Sequence, residues 1–222
     1  ELARQAGVLE QITFVKGALE NLSAFDSKSF DLVISFDAPI SYTYPHQEQV
    51  IQELVRLAGK RIIISVSSRM GYLPYLANPL QKNQFILDEN CGDSWVRWCV
   101  ANKDNAVKSF SFDEKAAEKL LAEGLMGGEK EIAEYEQGGA PWCITYTFMP
   151  DELRDILSRS GVKNIELAGP GAYARTIPNE LLVKIMKDPK QRSDFLDFCY
   201  RYDTNEFVCG MGKDNLLAKG EL

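Results

Sequence analysis

The chain has a single histidine, His46, and none of its five cysteines (Cys91, Cys99, Cys143, Cys199 and Cys209) forms a CxxC pair. A zinc or redox centre would have to be gathered from scattered positions by the fold, and an odd, dispersed set of thiols suits a reducing compartment. We therefore expect a cytoplasmic protein with buried thiols and no metal site. Positive charge is also short: 25 Lys and Arg against 32 Asp and Glu leave a net charge of -7. Binding to a polyphosphate backbone needs clustered cations that release counterions, so nucleic acid is not an expected partner. No apolar run approaches the roughly 20 residues that cross a bilayer, so no membrane is expected either. The opening residues, Glu1 to Gly7, show no initiator Met, signal core or basic leader, and read as the end of a helix stopped by Gly7.

What is present is ordinary for a globular protein: 222 residues, 45% hydrophobic and 26% charged, enough for one α/β domain with an insertion. Ile12 to Val15 is β-branched and aromatic and reads as a short strand closed by Gly17. Leu32 to Phe36 and Ile62 to Val66 are apolar runs too continuous for a one-sided sheet, which predicts strands buried on both faces. Between them a helix opened by Pro45 carries Val50, Ile51, Leu54 and Leu57 on one face and is expected to end at Gly59. From Met70 to Trp142 the spacing turns helical, with candidates at 73–84, 94–102, 113–124 and 129–136. The sheet resumes with a helix over 151–160, a strand over 162–168, helices over 178–187 and 189–202, and a last strand over 215–219. This rhythm predicts a parallel sheet flanked by helices, with a core of residues 1–69 and 143–222 and a mainly helical insertion or cap of residues 70–142.

Two passages carry a family likeness. Ile12-Thr13-Phe14-Val15-Lys16-Gly17-Ala18-Leu19-Glu20-Asn21-Leu22, followed by Ser29-Phe30-Asp31-Leu32-Val33-Ile34-Ser35-Phe36-Asp37-Ala38, resembles the third and fourth strands of class I S-adenosylmethionine-dependent methyltransferases. Tyr146-Thr147-Phe148-Met149-Pro150-Asp151-Glu152-Leu153, with Ser160-Gly161-Val162 after it, is similar to a later passage of the small-molecule group that includes the ubiquinone-biosynthesis type. The resemblance implies a Rossmann-like sheet and S-adenosylmethionine as cofactor, with a small-molecule methyl acceptor as partner. It also implies that the family's first strands and glycine-rich loop lie upstream of Glu1, since nothing here matches them. Ala18 stands where the family carries an acidic residue towards the adenine.

Ligands of open α/β sheets sit at the carboxyl ends of the strands. On the resemblance, Gly17, Ala18 and Leu19 would meet the adenine, and Ser35, Phe36 and Asp37 the methionine portion of the donor; the plainer alternative is a pair of strand-end turns. His46, just beyond, is either a base for the acceptor's proton or an exposed first-turn residue. Tyr42 and Tyr44 either close over a ligand or pack. Ser67, Ser68 and Arg69 start the insertion at the pocket rim, and its aromatics, Trp95 and Trp142 among them, either line an acceptor lid or form a small core of their own. A noncatalytic binding or scaffolding module on the same fold is the alternative from another class, and a nucleotide-dependent oxidoreductase a third.

Overall fold

The computed structural model describes residues 1–77, 114–127, 144–212 and 215–222. A short helix α1 (Leu2–Gln5) leads by a 3-10 turn into an extended segment, followed by β1 (Phe30–Ser35), α2 (Gln47–Leu57), β2 (Ala58–Val66) and α3 (Arg69–Ala77). Then come α4 (Glu114–Glu123), β3 (Leu125–Met126), β4 (Thr145–Tyr146), α5 (Pro150–Arg159), β5 (Lys163–Ala168), α6 (Asn179–Lys187), α7 (Pro189–Tyr202) and β6 (Leu216–Glu221). The main sheet has the order β1-β2-β6-β5. β1 and β2 are parallel, while β6 lies antiparallel between β2 and β5. Three strands thus run one way, as the expected parallel sheet requires, and one strand, β6, is reversed.

One face of this sheet is dry. Register puts Val33, Ile62 and Gly220 in one row and Ile64 and Ala218 in the next, and α2 lays Val50, Ile51, Leu54, Val55 and Leu57 on them. α5 adds Leu153, Ile156 and Leu157. Both helices bring apolar residues at spacings of three and four, and each such side chain fully buried contributes about 1.5–3 kcal/mol. The other face carries Leu32, Ile34, Ile63 and Leu217 among ion pairs such as Lys219–Glu166 at 3.1 Å. There Ile34 is 53% exposed, and no strand pairs with the outer edge of β1 among the described residues.

Three readings of the sequence are corrected. The strand read over Leu32 to Phe36 is buried on one face and not on both, since Leu32 and Ile34 are exposed. Ile12 to Val15 is not a strand: Ile12 is extended, but the segment has no ladder partner among the described residues, and Phe14 and Val15 are exposed. Extended propensity makes a strand only where another edge is offered. The segment after it is tied down at Arg56, which pairs with Glu53 and donates to the carbonyls of Leu22 (3.1 Å) and Phe25 (2.9 Å). Gly59 does not stop a helix but lies inside β2, where a Cβ would stand 3.3 Å from the carbonyl oxygens of both Lys28 and Phe30. Close backbone approach, not helix termination, is its role.

The helices read over 151–160, 178–187 and 189–202 form within a residue of those bounds, and that over 113–124 forms as α4. The helix read over 73–84 is described only as α3, and those over 94–102 and 129–136 lie outside the described residues. β3 and β4 pair antiparallel and α3 contributes Tyr72 to a small second cluster with Leu120 and Met126.

Candidate functional site

The carboxyl ends of β1 and β2 are stitched together by the loop that leaves β1. Ser35 ends the strand, and Asp37 and Ala38 follow with φ of 70° and 53°. Two consecutive non-glycine residues in the left-handed region are strained, by about 1–2 kcal/mol for a residue such as Ala38 that cannot bond its own backbone. Hydrogen bonds to β2 offset this: the Ala38 N–H donates to Ser65 Oγ at 3.1 Å, and the Ser67 N–H donates to Ser41 Oγ at 2.8 Å. A 3-10 turn over Pro39–Tyr42 lies between these rungs, with Ile40 buried beneath it.

Buried polarity concentrates here. Among the described residues the buried polar side chains are Ser35, Ser41, Thr43, Ser65, Ser67, Ser68, Thr145 and Thr147. All are hydroxyls, and they lie at these two strand ends or on the short β4 segment beside them. Thr43 donates to the Ile40 carbonyl (2.8 Å), Thr147 to that of Gly124 (2.7 Å) and Ser68 to that of Gly210. The hydroxyls of Ser35 and Ser67, with Gln47 Oε1 and Arg69 Nε, have no hydrogen-bond partner among the described residues. A buried polar group left so costs about 1–3 kcal/mol, and bound water or a ligand relieves that cost.

Beside it stands a charged hub. Arg69, the first residue of α3, donates through Nη2 to the Thr147 carbonyl (2.8 Å) and to Glu152 Oε2 (3.0 Å). The other oxygen of Glu152 accepts the Tyr146 hydroxyl, and Oε2 also accepts the Met149 N–H at 3.2 Å. Burial, and then the hydrogen bond to Glu152, push the Tyr146 phenol up to about 12. Its ring meets buried Phe148 edge-on and stacks with Tyr44, centroids 6.1 Å apart and planes within 5°.

The residues singled out from the sequence are placed as follows. Ser35, Phe36 and Asp37 occupy the strained loop; Phe36 and Asp37 are exposed. Tyr42 and Tyr44 follow it in the chain and are exposed. His46 is the N-cap residue of α2, exposed, and its side chain makes no cap hydrogen bond. Gly17 stands open and Ala18 is exposed, its carbonyl accepting the Asn21 N–H at 3.1 Å. Leu19 packs against the main core. No hydrogen bond joins these three to the Ser35–Asp37 loop among the described residues. Trp95 and Trp142 lie outside the described residues. Sequence reasoning gave no part to Tyr146, Glu152 or the Ser65 hydroxyl. The signal available was Glu152 at the third position of a helix, where a carboxylate reaches back to the N-cap amide. Among the described residues no group of three His, Cys, Asp or Glu is placed to hold a metal ion, and no helix is long and apolar enough to cross a membrane.

No protein-family model matches the chain, and no curated protein matches it. A solved structure from Thermotoga maritima, described as a SAM-dependent methyltransferase and possible histamine N-methyltransferase, is similar at 12% identity and a TM-score of 0.37. The likeness covers 98% of this chain and 69% of that one. A likeness of that size carries no inference about activity.

Proposed function

We propose that the chain belongs to a Rossmann-like, S-adenosylmethionine-dependent methyltransferase of the small-molecule group. The observation that carries the reading is the loop after β1. The sequence resemblance assigns the donor's methionine portion to Ser35, Phe36 and Asp37, and this loop lies at the carboxyl end of a parallel pair, strained, with a buried hydroxyl that has no partner among the described residues. These residues fit the donor: Ser35 offers a hydroxyl and Asp37 an exposed carboxylate. S-adenosylmethionine supplies a methyl group on a sulfonium that is a good leaving group. The chain's work is then alignment, exclusion of water and proton removal, the last assigned to His46. Gly17, Ala18 and Leu19 are assigned to the adenine, and Tyr42, Tyr44, Trp95 and Trp142 to the acceptor. Residues 70–142 are assigned to a cap over it.

Calorimetry with S-adenosylhomocysteine tests this on the chain carrying its native flanking sequence. Binding is expected, at least tenfold weaker in Asp37→Ala and unchanged in His46→Asn. Absence of binding overturns the reading. Ala18, which offers no carboxylate, favours a second reading, a noncatalytic binding module; donor binding without labelled methyl transfer to any acceptor of a cell extract would establish that instead.

A further inference from the structure

Away from this site, α6 and α7 present a patch of apolar surface to water. Asp188 caps the end of α6 and the start of α7, and the two helices lie against each other with Leu182 and Met186 on one side of an open groove and Leu196 and Tyr200 on the other. Val183, Met186 and Leu196 are exposed, and Tyr200, at 86%, is the most exposed large apolar residue described. Leu196 and Tyr200 continue a row that begins at Arg192, because residues four apart share one side of a helix and stand about 6 Å apart along its axis. Asp197 borders the same groove. Arg192 is exposed, and neither its guanidinium nor the Asp197 carboxylate enters an ion pair among the described residues.

We propose that a second copy of this chain covers the patch, with α7 packed antiparallel on α7 of the other copy about a two-fold axis at Leu196. That axis sets Leu196 on Leu196 and brings each Arg192 level with Tyr200 of the other copy and within a turn of its Asp197. Packed helix axes lie about 8–10 Å apart, a gap an arginine spans. The ring then takes the guanidinium on its face and the carboxylate pairs with it. The row Arg192-Leu196-Tyr200 with Asp197 is therefore complementary to itself, which a two-fold interface demands because one patch serves both sides. A lipid surface would select cations without carboxylates, whereas Asp194 and Asp197 alternate here with Arg192 and Arg201. The 14 residues of α7, with Val183 and Met186 alongside, cover about 1,000 Å² in total when two copies meet, the lower edge of specific interfaces. The dimer is weak and reversible, and it forms independently of donor binding.

Sedimentation equilibrium of the chain carrying its native flanking sequence tests this. The average mass is expected to rise towards twice the monomer's as concentration increases. Leu196→Glu, at a position already half in water, is expected to weaken the dimer at least tenfold. Arg192→Glu and Asp197→Arg, both on exposed side chains, each set like charges opposite one another and are expected to do the same. An equimolar mixture of these two variants restores opposite charges at both contacts of a mixed dimer, so it is expected to recover the wild-type affinity. A monomer at every concentration, a dimer that survives Leu196→Glu, or a mixture that associates no better than either variant alone overturns the proposal.

Discussion

Two pairs of helices in this molecule have opposite fates, although α6 has the apolar periodicity of α2 and α5 and only α7 is clearly less amphipathic. α2 and α5 bury eight apolar side chains against the sheet, whereas α6 and α7 leave Leu181, Val183, Leu196 and Tyr200 exposed, with Cys199 the one residue buried on α7. α6 and α7 chiefly contact each other. Amphipathic spacing therefore fixes which face a helix would bury but not whether anything covers it. The first pair is held by area removed from water; the second leaves much of its apolar surface exposed.

The sharpest way to break the comparison is truncation in each layer. Phe148 is fully buried, so Phe148→Ala is expected to cost about 3–5 kcal/mol in urea denaturation. Phe198→Ala on α7, where the ring is 38% exposed, is expected to cost about 1 kcal/mol or less. Similar losses would mean that α7 is as much core as the sheet. Next in size is Glu152→Ala, which leaves Arg69 and the Tyr146 hydroxyl without their partner and is expected to cost about 1–3 kcal/mol, recovered in part by Glu152→Gln.

A smaller effect follows from the Tyr146 phenol, raised from 10.0 to about 12. The folded protein holds this proton more tightly than the unfolded chain, so its contribution is complete below pH 10 and is lost as pH rises through about 12. Tyrosinate absorbance should show one late-titrating phenol that Tyr146→Phe removes; its persistence in that variant would refute the assignment. Least is expected of Asp203→Asn. Because burial raises this carboxyl, its contribution is full below the ordinary carboxylate range and lost as pH climbs through the raised value, leaving the ionised form a net cost at pH 7. The variant should match or slightly exceed the wild-type melting temperature at pH 7 and lose that advantage in acid.

The sequence was legible where one element's periodicity meets one partner. Val50, Ile51, Leu54 and Leu57 revealed both the helix and its buried face, and Gly161 the end of another. It was not legible where the outcome depends on a distant edge: Ile12 to Val15 has strand chemistry and no ladder, and Gly59 resembles a helix stop but answers to the carbonyls of Lys28 and Phe30. The candidate site divides similarly. Ser35 and Asp37 were singled out by following an apolar strand to its end. The Ser65 hydroxyl and the Arg69–Glu152–Tyr146 hub were assembled from positions too far apart for any local spacing to signal them.

The strand that joins the two halves of the sheet follows both of them in the sequence. β1 and β2 meet β5 through β6 alone, so Arg61 finds its neighbour in Glu221 and Lys163 shares that neighbour from the other side. Because β6 follows β5, the edges of β2 and β5 that it covers have no ladder partner in this sheet until Leu216 to Glu221 has been made. Closure is then a single late event over a long stretch of chain, and loop-closure entropy sets its pace. Until that moment the nascent molecule depends on whatever shields those edges.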